Sequence, residues 1–186
     1  MNKAITSREK IMQVCRNIAA EQGLSALNMR AVAGACGIAL GTLYNYYSGK
    51  DELLLATVES VWMDIFHMDG SCQTDYSFPE YIRHLFGCAR KGAAKYPNFL
   101  TAHSLALAGA KKDEAKSAME RNVEHIKGAM LAVLCADPGL KPEVFSAAFS
   151  QADFIDFVLD NILLLLVRGA EDCTALTELV RRVIYG

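Results

Sequence analysis

Apolar residues recur at intervals of three and four along most of the chain, which is the spacing of amphipathic α-helices. Near the N-terminus Ile11, Cys15 and Ile18 share one face, a Thr6–Glu9 capping pattern precedes them and Gly23 offers a left-handed stop. We expect an all-α protein of about nine helices, because no strand alternation or internal repeat competes with this period. The later helices are predicted at Asn28–Cys36, from near Leu40, from the Ser48 cap with Asp51, and at Phe78–Lys95, Pro97–Gly109, Asp113–Ala136, Pro142–Arg168 and Thr174–Tyr185.

Residues 29–47 contain two of these helices, both short, with Gly37 between them. Ala33 is small where the two helices approach each other, and Ile38 and Leu43 fill the angle between them. This is the layout of a helix-turn-helix, whose second helix enters the major groove of DNA.

The second of these helices carries side chains suited to a DNA surface. Gly41 lets the backbone come near the duplex, while the hydroxyls, amide and rings that follow can contact base edges, thymine methyl groups or phosphates. Lys50, just beyond the helix, is placed to hold a phosphate. For any single tyrosine a packing role is the better explanation, and Tyr47 is expected in the core. The side chains concerned are Thr42, Tyr44, Asn45 and Tyr46.

Charge is distributed unevenly along the chain. The net charge is −2, but residues 1–50 carry six Lys or Arg against two Glu, so this segment is +4 and the remainder −6. The N-terminal part is therefore the one suited to an anionic partner. Since a solvated basic face is common on helical domains, the asymmetry alone does not establish DNA binding.

Residues 32–53, VAGACGIALGTLYNYYSGKDEL, resemble the signature of the TetR family of transcriptional regulators, with its Gly-Thr-x-Tyr recognition helix and Lys-x-x-Leu start of the fourth helix. The resemblance implies a DNA-binding domain at 1–50 and an effector-binding and dimerisation domain at 51–186. The chain departs from the family pattern at Asn28, Ala39 and Tyr47, and Ala39 removes a helix cap worth roughly 1 kcal/mol. By matching position, the resemblance implies DNA contacts from Asn28, Arg30, Leu40, Gly41, Thr42, Tyr44, Asn45, Tyr46 and Lys50.

The segment from Phe145 to Leu166 is apolar on two faces, and residues 176–183 add a further apolar stripe. One thin domain does not bury both faces of such a helix, so the two segments predict a four-helix interface in a homodimer. The alternative is a central helix of a monomeric bundle. A dimer would set two recognition helices about 34–36 Å apart, in successive major grooves of a palindromic operator. The predicted interface residues are Phe145, Phe149, Ala152, Leu159, Ile162, Leu163, Leu166, Leu176, Leu179, Val180 and Val183.

Most apolar residues in the middle of the chain are expected to be ordinary core. In the resembled family, however, the middle helices surround a ligand cavity, which implies a small apolar or aromatic effector and no resident cofactor or metal. The effector would lower the affinity for DNA by favouring a dimer whose recognition helices are wrongly spaced. The candidate lining residues are Trp62, Phe66, His67, Phe86, Tyr96, Phe99, His103, Met119, Val123 and Ile126.

The six scattered cysteines form no C-x-x-C pair and no leader pattern is seen, so we expect free thiols in a reducing cytoplasm, with a redox-sensing pair as the minor alternative. The longest apolar stretch, Phe154–Val167, contains two Asp and falls short of the roughly 20 residues that a bilayer requires. No membrane helix is therefore expected.

Two other classes of protein are weighed against a regulator. An enzyme is not expected, because the chain has no G-x-S-x-G elbow, Gly-rich phosphate loop or H-E-x-x-H motif, and its four histidines lack metal-ligand spacing. The other alternative is a helical adaptor whose N-terminal domain binds a protein. Salt-sensitive DNA binding would distinguish a regulator from such an adaptor.

Overall fold

The computed structural model describes residues 6–66, 76–97, 99 and 112–186, and for residues 112–119 it describes the backbone only. These residues form eight α-helices, with no β-structure among them beyond an isolated bridge between Ser146 and Phe149. The prediction of an all-α protein is confirmed, whereas the helix predicted at Pro97–Gly109 lies largely outside the described residues. The helices are α1 (Arg8–Gln22), α2 (Met29–Cys36), α3 (Leu40–Tyr44), α4 (Lys50–Phe66), α5 (Phe78–Lys95), α6 (Lys112–Ala136), α7 (Gln151–Val167) and α8 (Thr174–Tyr185).

The chain packs as two compact units. Unit 1 comprises Met1–Asp64 and Ala93–Glu120, and unit 2 comprises Ile65–Gly92 and Arg121–Gly186. The division by role, with a boundary after residue 50, stays a prediction. By packing, the N-terminal unit extends through most of α4 and includes the segment at the end of α5.

The core of unit 1 begins with α1 and α2, whose apolar faces follow the predicted helical period. Ile11 and Val32 are fully buried. α1 starts differently from the Thr6–Glu9 pattern, because Ser7 is the cap: its Oγ accepts from the backbone N–H of Lys10 at 3.2 Å. Thr6 is instead buried.

Asp64, near the end of α4, binds the segment that follows α5 within unit 1. Its Oδ2 accepts hydrogen bonds from Lys95 Nζ and Tyr96 Oη, each at 2.7 Å. Burial alone would raise the pKa of the Asp64 carboxyl, but these hydrogen bonds and the charge of Lys95 hold it below its usual value. Phe99 packs edge-on against Trp62, with ring centroids 6.2 Å apart. Lys95, Tyr96 and Phe99 are therefore part of the same packed unit as the N-terminal helices.

In unit 2, α7 begins later than the sequence pattern predicts. The pattern places a helix start at Pro142, but Pro142–Val144 forms a single 3-10 turn and α7 starts only at Gln151. Ser150 Oγ accepts from the N–H of Asp153 at 3.1 Å, while the Asp153 carboxylate accepts from the N–H of Ser150 at 2.9 Å. This reciprocal capping box fixes the start of α7. Proline suits the first turn of either kind of helix, so Pro142 did not distinguish them.

Asp137 holds three parts of unit 2 together and is only 6% exposed. Its Oδ2 accepts from the N–H of Phe78, the first residue of α5, at 2.7 Å, and from the hydroxyl of Tyr185. Its Oδ1 accepts from the N–H of Gly139 at 2.8 Å. Burial, followed by this hydrogen bond, raises the pKa of Tyr185, so the phenol remains a donor. The carboxylate thus caps α5 and anchors the end of α8.

Five cysteines are among the described residues and all are free thiols, while Cys72 lies outside them. Burial raises the pKa of Cys15 to about 11, so this residue packs as a neutral thiol. In the described part of the chain, no three His, Cys, Asp or Glu side chains group as metal ligands would. None of the helices described there is long and apolar enough to cross a bilayer.

We expect Asp137→Ala to lower the free energy of unfolding by about 3 kcal/mol, because three donors lose their acceptor in a buried site. Tyr185→Phe removes one donor and should cost about 1 kcal/mol. Urea unfolding followed by circular dichroism measures both. Asp156→Ala is the matched control, since it removes a half-exposed carboxylate paired with Lys127 and should cost less than about 1 kcal/mol. Equal losses for the two Asp variants would contradict the anchoring role of Asp137.

Candidate nucleic-acid interface

The turn between α2 and α3 is fixed by residues that the sequence singles out. Asn28 Oδ1 accepts from the N–H of Ala31 at 2.9 Å, which confirms Asn28 as the N-cap of α2. At the other end Gly37 is left-handed, with φ +64°, a conformation that glycine adopts without steric cost. The N–H of Ile38 then donates to Ala33 O at 3.0 Å, which satisfies a carbonyl of the last turn of α2. The chain therefore enters α3 in a defined direction.

α3 has one buried side and one exposed side. Leu43 is fully buried, and Tyr47, just beyond the helix, is 2% exposed. On the opposite side Tyr44 is 50% exposed, and Gly41 and Asn45 also lie at the surface. The helix thus presents a phenol, an amide and bare backbone to solvent. The other predicted residues of this segment, Leu40, Thr42 and Tyr46, are half-buried.

The helices before and after α3 each carry an exposed cation. Arg30 is exposed on α2, and Lys50 is exposed at the first residue of α4. Among the described residues no carboxylate pairs with either of them. Asn28 is also exposed, but its Oδ1 caps α2 and its Nδ2 donates to Ala26 O at 3.2 Å. Arg30 and Lys50 therefore have charges available to an anion, whereas the Asn28 side chain is occupied in holding the turn.

The loop between α3 and α4 is closed by Glu52. Its Oε2 accepts from the N–H and from the hydroxyl of Ser48, each at 2.7 Å. These two hydrogen bonds lower the pKa of Glu52. The sequence predicts Ser48 as the cap of α4, but the helix begins at Lys50 and Ser48 instead donates to Glu52. Ser48, within the segment 45–49 that separates α3 from Lys50, is therefore tied to the first turn of α4.

Arg8, in the first turn of α1, contacts the end of α3, which the sequence analysis did not anticipate. Its Nη2 donates to Tyr46 O at 2.9 Å, and the Tyr46 hydroxyl donates to Thr6 O at 3.0 Å. The guanidinium carbon of Arg8 lies 5.1 Å from the ring centroid of Tyr47. The hydrogen-bonded residues are 38 and 40 positions apart, so no local pattern signals the contact.

The predicted effector residues are distributed over both units. In unit 1, Trp62, Tyr96 and Phe99 are buried, with Phe99 6.2 Å from Trp62 and 6.3 Å from Tyr96 between ring centroids. Burial and the hydrogen bond to Asp64 raise the pKa of Tyr96, so its hydroxyl stays protonated. In unit 2 the predicted residues are the buried Phe66, Phe86 and Ile126 and the half-buried Val123. His67, His103 and the side chain of Met119 lie outside what the structure describes.

The predicted dimer residues fall into an exposed group and a buried group. Phe149, Ala152 and Leu179 are exposed, and Phe145, Leu163 and Val183 are half-buried. The buried group consists of Leu159, Ile162, Leu166, Leu176 and Val180. These five are at most 9% exposed and pack in the core of their own chain, so their place in a dimer interface stays a prediction. The most exposed apolar side chains of α7 are not among the predicted interface residues, namely Phe157 (47%), Leu164 (44%) and Val167 (48%).

The helix-turn-helix segment matches a known protein family. Residues 11–57 match the family described as bacterial regulatory proteins, tetR family. The HTH-type transcriptional regulator UidR of Escherichia coli (strain K12) is 32% identical over 56 residues, covering 30% of this chain and 29% of UidR. The HTH-type transcriptional repressor KstR of Mycobacterium tuberculosis (strain ATCC 25618 / H37Rv) is 39% identical over 51 residues, covering 27% of this chain and 23% of KstR. The chain thus matches less than a third of the length of these curated relatives.

A longer similarity is found in three dimensions. The crystal structure of the multidrug binding protein EbrR complexed with ethidium aligns with a TM-score of 0.65 at 16% identity, over 95% of this chain and 98% of EbrR. At this identity the likeness establishes the fold. The family match covers the helix-turn-helix whose geometry is described above. Residues 11–57 are thus similar to the tetR family of bacterial regulatory proteins.

Proposed function

We propose that the chain is a DNA-binding transcriptional regulator, a ligand-responsive repressor that binds a palindromic operator as a homodimer in the cytoplasm. The observation that carries the proposal is the solvent-facing side of α3, where Gly41, Tyr44 and Asn45 lie exposed. The preceding helix and the following one each carry an exposed cation, Arg30 on α2 and Lys50 on α4. UidR and KstR, which are similar to this chain over 56 and 51 residues, are named as a transcriptional regulator and a transcriptional repressor. The proposal assigns no catalytic residue and no resident cofactor.

Each group on this surface has a role that its chemistry suits. The Asn45 amide has both a donor and an acceptor for a base edge, and the Tyr44 ring and hydroxyl suit a thymine methyl group or a phosphate. Gly41 has no side chain, so the backbone of α3 can approach the duplex closely. Arg30 and Lys50 suit phosphates, which fix position without reading sequence. Base recognition is therefore assigned to Tyr44 and Asn45, and backbone binding to Arg30 and Lys50.

Gly41→Leu should weaken DNA binding without unfolding the protein. A Cβ at Gly41 meets no atom within 4 Å, and leucine is a better helix former than glycine by up to about 1 kcal/mol. The variant should therefore be at least as stable as the wild type by thermal unfolding. Its larger side chain would stand between α3 and the duplex, so affinity for the intergenic DNA upstream of its own gene should fall at least about tenfold, as measured by fluorescence anisotropy.

Gly128→Leu is the matched control, because Gly128 is an equally open position on α6 and its substitution should leave DNA affinity unchanged. Lys50→Ala should reduce the slope of log affinity against log salt concentration by about 0.9, the value for one lost phosphate contact. Wild-type affinity retained in Gly41→Leu would show that α3 does not face the DNA. If the wild type binds no duplex in a salt-dependent way, the adaptor alternative replaces the proposal.

The dimer part of the proposal is supported by exposed apolar side chains on the last two helices. Phe157, Leu164 and Val167 are seven and three residues apart, which places them on one side of α7, and Leu179 is 47% exposed on α8. Asp160, also exposed on that side of α7, interrupts the apolar stripe. Large exposed apolar side chains grouped in this way are typical of protein interfaces. A second copy of the chain is the occupant that the proposal requires, because a palindromic operator has two equivalent half-sites.

Leu164→Glu should convert a dimer into a monomer, because the introduced carboxylate would have to be buried without a partner. In sedimentation velocity at micromolar concentration, the wild type should have twice the 20.3 kDa mass of the chain and the variant the single mass. Met63→Glu is the control, since Met63 is an apolar residue of similar exposure (49%) on α4 and its variant should remain dimeric. A wild type of 20.3 kDa would contradict the dimer.

The effector part of the proposal is supported by the aromatic cluster of Trp62, Tyr96 and Phe99 in unit 1. Buried rings with one hydrogen-bonded hydroxyl are typical of sites that accept apolar or aromatic small molecules. EbrR, which has this fold, was crystallised with ethidium. A ligand that inserts among these rings would act on the packed unit that also contains α3, and would lower DNA affinity by favouring a conformation unsuited to the operator.

A compound that acts as effector should change two signals in parallel. Trp62 is the only tryptophan of the chain, so its fluorescence emission reports directly on the aromatic cluster. In a panel of aromatic and long-chain apolar compounds, at least one should shift this emission and weaken operator binding over the same concentration range. Free N-acetyltryptophanamide controls for optical effects of the compounds. A panel in which no compound changes either signal would contradict the proposal.

A further inference from the structure

α3 is too short to hold its own orientation. It spans five residues, and its N-cap position is Ala39, which makes no side-chain hydrogen bond to the first turn. Isolated helices of this length are unstable in water, so contacts from outside the helix must set where its exposed side points. Burial of Leu43 supplies one such contact in the middle of the helix.

The end of α3 is held by the start of α1. Arg8 donates to Tyr46 O at 2.9 Å, and in return the Tyr46 hydroxyl donates to Thr6 O at 3.0 Å. The guanidinium of Arg8 also lies over the ring of Tyr47, which is 2% exposed. We call these three contacts the Arg8–Tyr46 clasp. The clasp links the two segments in both directions, because a side chain of each segment donates to a main-chain carbonyl of the other.

We propose that Tyr46 is a positioning residue for DNA recognition, and that it acts through the clasp instead of reading DNA with its hydroxyl. This inference rests on the proposed function. The phenol of Tyr46 has a single proton to donate, and it is committed to Thr6 O. Thr6 is 6% exposed, so this acceptor lies away from solvent. Tyr44, by contrast, keeps its ring half exposed on the outer side of α3.

The clasp should affect specific binding more than general affinity for DNA. Hydrogen bonds to base edges weaken steeply when donor and acceptor leave their narrow range of distance and angle, so Tyr44 and Asn45 depend on the position of α3. The cations Arg30 and Lys50 stand on α2 and α4. Their contacts with phosphates are less directional and do not require a fixed α3.

Tyr46→Phe removes the hydroxyl alone and is the direct test. Affinity for the specific operator should fall about five- to tenfold, the usual effect of one lost hydrogen bond. Affinity for a scrambled duplex of the same length, and the dependence of both affinities on salt, should stay unchanged. Arg8→Lys keeps the charge but loses the planar guanidinium, so it should give a similar loss. The double variant should lose little more than either single variant, because both break the same clasp.

A second measurement does not involve DNA. In the free protein, amide hydrogen exchange at residues 42–47 should be about five- to tenfold faster in Tyr46→Phe than in the wild type, while the thermal midpoint changes little. Tyr76→Phe, the same chemical change in unit 2, is the control and should alter neither exchange in α3 nor DNA binding.

Three results would overturn the inference. Unchanged exchange at residues 42–47 in Tyr46→Phe would show that the clasp does not hold α3. Equal losses of affinity on operator and scrambled DNA would show that the Tyr46 hydroxyl is a phosphate ligand, because a phosphate contact does not depend on sequence. Faster exchange with unchanged operator affinity would show a clasp without a role in recognition. A wild type that binds no DNA at all, with exchange accelerated in Tyr46→Phe, would instead be a failure of the proposed function.

Discussion

The burial of Leu43 is the contact on which the candidate nucleic-acid interface depends. α3 has only five residues, and without an anchored side it could present any of its faces to solvent. With Leu43 and Tyr47 buried on one side, Tyr44 and Asn45 are exposed on the other. A shift of one residue in this register would move Tyr44 into the buried position that Leu43 occupies. The chemistry of the outer surface is therefore set by apolar packing on the inner one.

Much of the helix-turn-helix was predictable, because the signals that define it are confined to a few neighbouring residues. The Asn28 cap, the left-handed Gly37 and the contrast between Leu43 and Tyr44 all depend on near neighbours, and the structure has each of them. The clasp of Arg8 and Tyr46 was not predictable, because its partners are 38 positions apart and Arg8 has no unusual local context. The uncapped Ala39 was foreseen, but the contact that steadies the opposite end of the same helix was not.

α7 shows a different limit of sequence analysis. It is apolar around most of its circumference, so Leu159 and Leu164 are chemically equivalent in the sequence although one is buried and the other exposed. Hydrophobic periodicity identifies a side only where the other side is polar. The start of α7 was misplaced for a related reason, since Pro142 opens a 3-10 turn as readily as an α-helix and the true cap is Ser150. The existence of the helix was predictable, but its first residue and the side that it buries were not.

The packing of unit 1 limits where the N-terminal helices can be separated from the rest of the chain. Asp64 accepts from Lys95 and Tyr96, and Trp62 lies against Phe99, so α4 is completed by residues far along the chain. A fragment cut after α4 would leave a tryptophan and a carboxylate without these neighbours. A chimera that transfers the N-terminal helices through the end of α4 would therefore have to carry Lys95, Tyr96 and Phe99 as well.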